Sequence, residues 1–581
     1  MGRGDIKDNM LSAASGTVAA ARDFDQFRVS VPCQFACPAH TDIPGYLAAI
    51  AKGDYDTAYR INLRDNVFPG VLGRVCTQPC ETVCRHGREG LGESVAIRVA
   101  KRAAADFRRH TDPIILEPIF SASGKRVAVV GAGPAGLTTA RELCRLGHAV
   151  DLYEKDDQPG GLMVQGIPLF RLPREIIAHE VAQALAVGIK LHLGVSADLA
   201  ELRQTHDAVV WATGAQDPVL PDLPGADLPG VMHGLPFLRR VNRGEKPAIG
   251  RRVVVIGGGF TAVDCARIAR RLGAEHVRIF YRRSEVEMYI STDEMDALAA
   301  EGITLETRVM PLACLGDSHV KEIRLARTVP GELDAHGRRQ YDLVPGTEFT
   351  VAADTVLFGT GQRPIRPAST QPPVFLAGDV ATGSTSLIDT IGHAKRVVRA
   401  VDQFLMGARR IGDDIGIGPV VPSTGRTREM DAIPRQEMAL VALTPDQPDA
   451  EVEQGFTREQ AMTEAIRCYQ CQYLFEIDNR RCIYCDMCIT ACPVPECIVK
   501  VSAVHRDAEG RWQGFQRATG PQDYNLLCID PDLCIRCDLC VKACPVHCIP
   551  AQEMAFHQAA PGAAGQFEQA VANTAKESPH G

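Results

Sequence analysis

Apolar and polar positions follow three rhythms along the chain. Over residues 31–110 apolar side chains recur at helical spacing, as in IPGYLAAIAKGDYDTAYRI, where they fall three or four positions apart. From Lys125 the rhythm becomes an apolar run, a glycine turn and a helical repeat. KRVAVVGAGPAGLTTARELCRLGHAVDLYEK reads as strand, turn, helix and strand. The same unit starts again at Arg251, in RRVVVIGGGFTAVDCARIARRLGAEHVRIFYRR. Strand and helix signals return over 355–405 through TVLFGTG and VFLAGDV. Residues 406–456 are rich in Pro, Asp, Gly and Arg, show no clear period, and read as a linker. Thr457 and Gln460 have capping-box spacing, which predicts a helix leading straight into Cys468. Residues 1–30 are small and polar and read as a flexible arm, and 554–581 as a mobile tail.

A chain of 581 residues has room for roughly three to five domains. Its 63 basic and 71 acidic side chains give a net charge of −8, which argues against a nucleic-acid binder with a basic face. No apolar stretch approaches the length of a membrane span. The opening MGRGDIKDNM lacks the apolar core of a signal peptide, so a cytoplasmic location is expected. The count that changes the picture is 21 cysteines, five within 33–84 and thirteen within 468–548. Clustered cysteines in a reducing compartment are read as metal ligands rather than disulfides. The scattered Cys144, Cys265 and Cys314 read as core filler.

The two glycine turns are candidate dinucleotide sites. Gly131, Gly133 and Gly136 spell G-x-G-x-x-G between a strand and a helix, with Glu154 at the end of the next strand. The first glycine makes the turn, the second admits a pyrophosphate, and the third lets helix and strand pack. A carboxylate at the Glu154 position accepts from ribose hydroxyls. The second turn has Gly257, Gly259 and Ala262, and its following strand ends in Arg282 and Arg283 rather than an acid. A carboxylate there repels a 2′-phosphate whereas an arginine pair clamps it, so NADPH is favoured over NADH.

Cys482, Cys485, Cys488 and Cys492-Pro493 spell C-x2-C-x2-C-x3-C-P, and Cys534, Cys537, Cys540 and Cys544-Pro545 repeat it. This is the spacing of a two-cluster bacterial ferredoxin, whose fourth cysteine ligates the other cluster. One [4Fe-4S] cluster is therefore expected on Cys482, Cys485, Cys488 and Cys544, and another on Cys534, Cys537, Cys540 and Cys492. Cys497, Cys528 and Cys548 are left over and read as packing. A further cysteine module holds Cys33, Cys37, Cys76, Cys80 and Cys84, too few for two cubanes.

PGGLMVQGIPLFRLP at 159–173, WATG at 211–214, GTGQRP at 359–364 and FLAGD at 375–379 occur in order with the glycine turns. Together with the early cysteine module they resemble the small (β) subunit of bacterial glutamate synthase. They also resemble the reductase part of dihydropyrimidine dehydrogenase and related NADPH:ferredoxin flavoprotein subunits. The resemblance implies an α/β flavoprotein of nested Rossmann-like dinucleotide-binding domains, with an N-terminal helical iron–sulfur domain and a C-terminal ferredoxin-like α+β domain. It places FAD at the first turn with Gly161, Gly378 and Asp379, Gly392 at a helix start beside the flavin, and NAD(P)H at the second turn. The implied boundaries are 31–120 for the helical iron–sulfur domain, 121–245 with 351–405 for FAD, 246–350 for NAD(P)H and 457–553 for the ferredoxin-like domain. MYISTDEM at 288–295 departs from the family, which carries Met-Pro and a small residue there.

In that group an EAxRCxxC string precedes the first cysteine module. Here it stands at 464–471 as EAIRCYQC. By analogy, the chain folds back and Cys468 and Cys471 complete the N-terminal site, as Cys33, Cys76, Cys468 and Cys471 on one cluster. The other would take Cys37, Cys80, Cys84 and a non-cysteine group, with Glu93 the nearest candidate; the alternative is an N-terminal module with one cluster or none and an idle Cys468/Cys471 pair. No nucleophile elbow, zinc-protease motif or P-loop lysine is present in the sequence, and no catalytic residue is assigned. The expected function is electron transfer between nicotinamide and a partner oxidoreductase or ferredoxin, such as a 2-oxoacid:ferredoxin oxidoreductase. A reductase feeding a glutamate synthase large subunit, or a redox relay or sensor, are the alternatives.

Overall fold

The computed structural model describes residues 24–559 except 89, 289, 291, 334–338, 443–446, 507–511, 521, 524–525 and 531. Two parallel sheets of five strands carry the glycine turns. The first runs in the order Val374–Leu376, Ala208–Trp211, Arg126–Val130, Ala149–Tyr153, Lys190–His192. The second runs Val231–His233, Thr355–Phe358, Arg252–Ile256, His276–Tyr281, Ile303–Thr307. The central strand of each is a near-continuous apolar run buried on both faces, Val127 to Val130 and Val253 to Ile256, as helix-covered parallel strands require. The second sheet takes strands from 231–233 and 355–358, outside the 246–350 expected for its domain. An antiparallel sheet of Val309–Leu315, Glu322–Leu333, Arg339–Leu343 and Phe349–Ala352 packs beside it. Part of the 288–295 segment lies outside the described residues.

The early cysteine module is helical, with Ile43–Ala51, Tyr55–Asn66 and Ile97–Phe107 around its ligand-bearing loops. Helix Pro69–Val75 packs against Ile97–Phe107 closely enough that a Cβ on Gly73 would stand 2.6 Å from the Arg102 Cα. The expected helix after Thr457 is present as Arg458–Ile466, with both halves of its capping box formed.

Three further boundaries differ from the sequence reading. Phe24–Ser30 is a helix inside the expected arm, and its Phe27 is buried against Phe35. Residues 1–23 and 560–581, the rest of the arm and most of the tail, lie outside the described residues. The final strand Ala551–Ala559 continues past 553 and buries Met554 and Phe556. The expected linker contains strand Gly412–Val421, which pairs antiparallel with Ala551–Ala559, while Tyr473–Phe475 covers the other edge. The strand GDDIGIGPVV escapes pattern reading because Gly and Asp take five of its ten positions, including buried Gly416 and Gly418. Elsewhere among the described residues of 406–456, ion pairs tie Arg435 to Glu81, Glu451 to Arg74 and Glu453 to Arg98. One hydrophobic core therefore runs from Phe27 through Leu72, Val129, Ile391 and Ala465 to Phe556.

Candidate functional site

Both glycine turns open into one cavity of about 1930 Å³. Gly131 has φ +101°, and a Cβ there would lie 2.6 Å from the Ala212 carbonyl oxygen, so only glycine fits. A Cβ on Gly136 would collide with the Gly131 carbonyl, whereas Gly133 has space over it and caps helix Pro134–Arg145. The second turn repeats this: Gly257 has φ +143°, Gly259 has open space, and buried Ala262 packs under Gly359. Each turn thus bares a helix N-terminus with a cradle at its second glycine, the form that receives a pyrophosphate.

Glu154 lines the cavity and is nearly buried. Its Oε2 accepts from the Ala132 N–H at 2.7 Å and its Oε1 from the Asp156 N–H at 3.0 Å. The carboxylate therefore fixes the glycine turn from the cavity wall. Gly161, at φ +53°, brings its segment against Gly133. Gly378, at φ +74°, turns the chain so that Asp379 reaches the cavity, where it accepts from the Thr385 and Thr390 hydroxyls at 2.9 and 3.1 Å. Burial pushes the Asp379 carboxyl above its ordinary range. Arg282 and Arg283 both line the far end, with Arg282 exposed. Gly392 does not line the cavity. It lies on helix Leu387–Met406, two residues beyond the last cavity-lining position, and faces Pro38 beside Cys37.

Sequence reasoning missed a polar group between the turns. Arg171 donates to Asp264 at 2.9 Å and to Glu294 at 3.0 Å, and all three line the cavity. Arg74, Arg98, Cys76 and Gln78 of the N-terminal module form part of its wall. Nothing in local spacing signals this, because the residues come from four distant segments.

The ferredoxin-type cysteines gather in two small pockets. One is lined by Cys492, Cys534, Cys537 and Cys540, the other by Cys482, Cys485, Cys488 and Cys544, the crossed grouping expected from spacing. In the loops, Tyr484 and Arg536 follow a first cysteine by two residues and adopt φ +55° and +54°. The Tyr484 N–H donates to the Cys482 sulfur at 3.4 Å. The same turn recurs elsewhere. Gln470, at φ +51°, donates its N–H to Cys468 at 3.4 Å, and Gln78, at φ +49°, donates to Cys76 at 3.4 Å. Backbone N–H groups aimed at sulfur favour a thiolate. Among the described residues no three His, Cys, Asp or Glu groups close on a point as ligands of a single ion do. A cubane spreads its thiolates over separate corners, and these pockets suit that donor set.

The chain does fold back. Cys33 lies in electrostatic reach of Cys471, Cys84 and Cys468 ahead of Cys80, and Cys468 of Cys471 and Cys84. Cys80 is in reach of Cys76 and Cys37. The groups are thus Cys33, Cys84, Cys468, Cys471 and Cys37, Cys76, Cys80, so Cys76 and Cys84 exchange the places expected by analogy. The reason is where each short helix ends. Cys80 lies in Pro79–Thr82, but Cys84 follows it in extended backbone and is carried to the other side. Cys33 and Cys37 diverge likewise at the end of Pro32–Ala36. Glu93 is exposed, and its carbonyl accepts from Arg467 at 2.7 Å. Buried Lys101, not an acid, faces Cys76. Cys265 and Cys314 are buried and Cys144 partly so, as filler requires.

The groups follow one another in space. Cys76 lines the nucleotide cavity. Buried Tyr46 stands among Cys80, Cys33 and Cys37, between the two N-terminal groups. Arg85, next to Cys84, donates to the Cys534 carbonyl at 3.1 Å, and Arg88 donates to Asp532 at 2.9 Å. Cys485 at the far end is exposed, with Ile483 and Met487 beside it.

Two dinucleotide folds opening on one cavity, joined to cysteine-rich cluster domains, define a flavin- and nicotinamide-linked oxidoreductase. The chain belongs to that family: residues 125–403 match the pyridine nucleotide-disulphide oxidoreductases, 16–112 the 4Fe-4S domain II of dihydropyrimidine dehydrogenase, and 527–549 the 4Fe-4S binding domain. It is 33% identical over 534 residues to the NADP(+)-dependent formate dehydrogenase subunit beta of Moorella thermoacetica, covering 80% of this chain and 73% of the relative. It is 33% identical over 510 residues to the NADPH-Fe(3+) oxidoreductase subunit beta of Geobacter sulfurreducens, covering 76% and 75%. The glutamate synthase [NADPH] small chain of Escherichia coli is 32% identical over 420 residues, covering 64% of this chain and 88% of the relative. The chain is a FAD-dependent NAD(P)H oxidoreductase with 4Fe-4S domains. Among the described residues no helix is long and apolar enough to cross a membrane.

Proposed function

We propose that this chain is the NADPH-linked electron-transfer subunit of a larger oxidoreductase, working in the cytoplasm. The observation that carries the reading is the single cavity walled by both glycine turns and by Cys76. FAD bound there supplies the conversion between a two-electron hydride and single electrons. The chain's own residues do the positioning. Gly133, Gly161 and Asp379 hold one dinucleotide, Gly259, Arg282 and Arg283 the other, and the cysteine groups continue from Cys76 to the exposed Cys485. Relatives named as beta subunits of NADP-linked oxidoreductases support a second subunit as partner, docked where Cys485 reaches the surface. A relay with a purely structural flavin has no use for the second turn. Rapid mixing of the anaerobic holoprotein with NADPH or NADH tests this: flavin absorbance should bleach within the turnover time, faster with NADPH. A flavin that neither nucleotide reduces would leave only the relay.

A further inference from the structure

Two cysteines outside the ferredoxin spacing lie inside the cluster pockets. Cys497 lines the pocket of Cys492, Cys534, Cys537 and Cys540, and Cys548 lines that of Cys482, Cys485, Cys488 and Cys544. Each pocket therefore holds five thiols where a cubane takes four. For Cys548 the geometry is specific. Its side chain is 2% exposed, its sulfur lies 3.5 Å from the Cys544 sulfur, and its backbone N–H donates to that sulfur at 3.4 Å. The turn through Pro545, Val546 and His547, with His547 at φ +47° and its N–H on the Cys544 carbonyl at 3.2 Å, folds residue 548 back over residue 544.

We propose that Cys548 is a reserve ligand, placed to take over the iron corner assigned to Cys544. The exchange balances without an oxidant. The bond from iron to the Cys544 sulfur breaks, the bond to the Cys548 sulfur forms, and the Cys548 thiol proton passes to the released Cys544 thiolate. No electron moves and the charge is unchanged. The proposal rests on the reading of this pocket as a cluster site.

Iron per chain and the electron paramagnetic resonance of the reduced clusters, measured on the anaerobically purified full chain, test it. Cys548→Ala and Cys544→Ala should each keep the wild-type iron content, whereas Cys544→Ala with Cys548→Ala should lose iron from this site. Retained FAD marks a folded chain. If Cys544→Ala does not fold, Cys544→Ser with and without Cys548→Ala is read in the same way. Iron loss in the Cys544 single variant equal to that in the double variant overturns the proposal, as does a double variant with full iron. Wild-type protein lacking ferredoxin-type signals would overturn the cluster reading itself, and the reserve ligand with it.

Discussion

A Cβ on Gly392 would stand 2.5 Å from the Pro38 carbonyl oxygen, so helix Leu387–Met406 meets the Cys37 loop only because residue 392 has no side chain. Gly392→Val should push that loop away, lowering iron content while FAD content holds; loss of FAD with iron intact would contradict this placement. At the other end of the cavity, Arg282→Ala with Arg283→Ala should raise the KM for NADPH at least about tenfold relative to NADH. The basis is two charge-assisted contacts of roughly 1.5–3 kcal/mol each. A wild type that prefers NADH would contradict the clamp. The glycine turns and the arginine pair were legible because spacing alone carries them, a glycine turn after a strand and two arginines at the next strand's end, whereas Gly392 came from the resemblance and lies against the Cys37 loop instead. The exchange of Cys76 and Cys84 was not legible, since it depends on the direction in which each short helix releases the chain. The Arg171, Asp264 and Glu294 group is likewise invisible until its segments meet.

Elements are tied together by buried charged groups. Glu180, on helix Arg174–Leu185, is 2% exposed and accepts from the Gly70 and Val71 N–H groups at 2.5 and 2.9 Å. It thereby caps helix Pro69–Val75, whose other end leads to Cys76. Burial raises its pKa to about 7, against the pull of those donors. The folded state therefore holds a proton that the unfolded chain releases in the ordinary carboxylate range. Its stabilisation is full below that range and is lost as pH rises through about 7. Glu180→Gln should flatten that stretch of the curve of unfolding midpoint against pH, and an unchanged slope would rule Glu180 out as its source. Glu464, on Arg458–Ile466, is fully buried; it pairs with Arg467 at 2.6 Å and accepts from the Ala96 and Gln436 N–H groups at 2.7 Å. Glu464→Ala leaves the buried Arg467 charge with backbone carbonyls but without its carboxylate and should cost about 3–5 kcal/mol in denaturant unfolding; a loss under about 1 kcal/mol would mean that this tie does not hold the fold-back together. The capping box ahead of this helix was readable from sequence, but the strand Gly412–Val421 was not, because its partner Ala551–Ala559 lies far along the chain from it.

At the scale of the molecule, four cysteine groups form a series from the nucleotide cavity to an exposed edge. Its outer half follows from the repeated ferredoxin spacing. Its inner half needs Cys468 and Cys471, which sequence places by analogy and the structure sets beside Cys33 and Cys84. The account's central claim is that electrons cross this junction, and a rapid-freeze experiment tests it most directly. Anaerobic wild type and Cys468→Ala with Cys471→Ala are mixed with NADPH, and the flavin and the ferredoxin-type clusters are followed together. The account predicts flavin reduction at the wild-type rate in the double variant, iron lower by about one cubane, and ferredoxin-type clusters that stay oxidised on the turnover timescale. Clusters reduced as fast as in the wild type would contradict it.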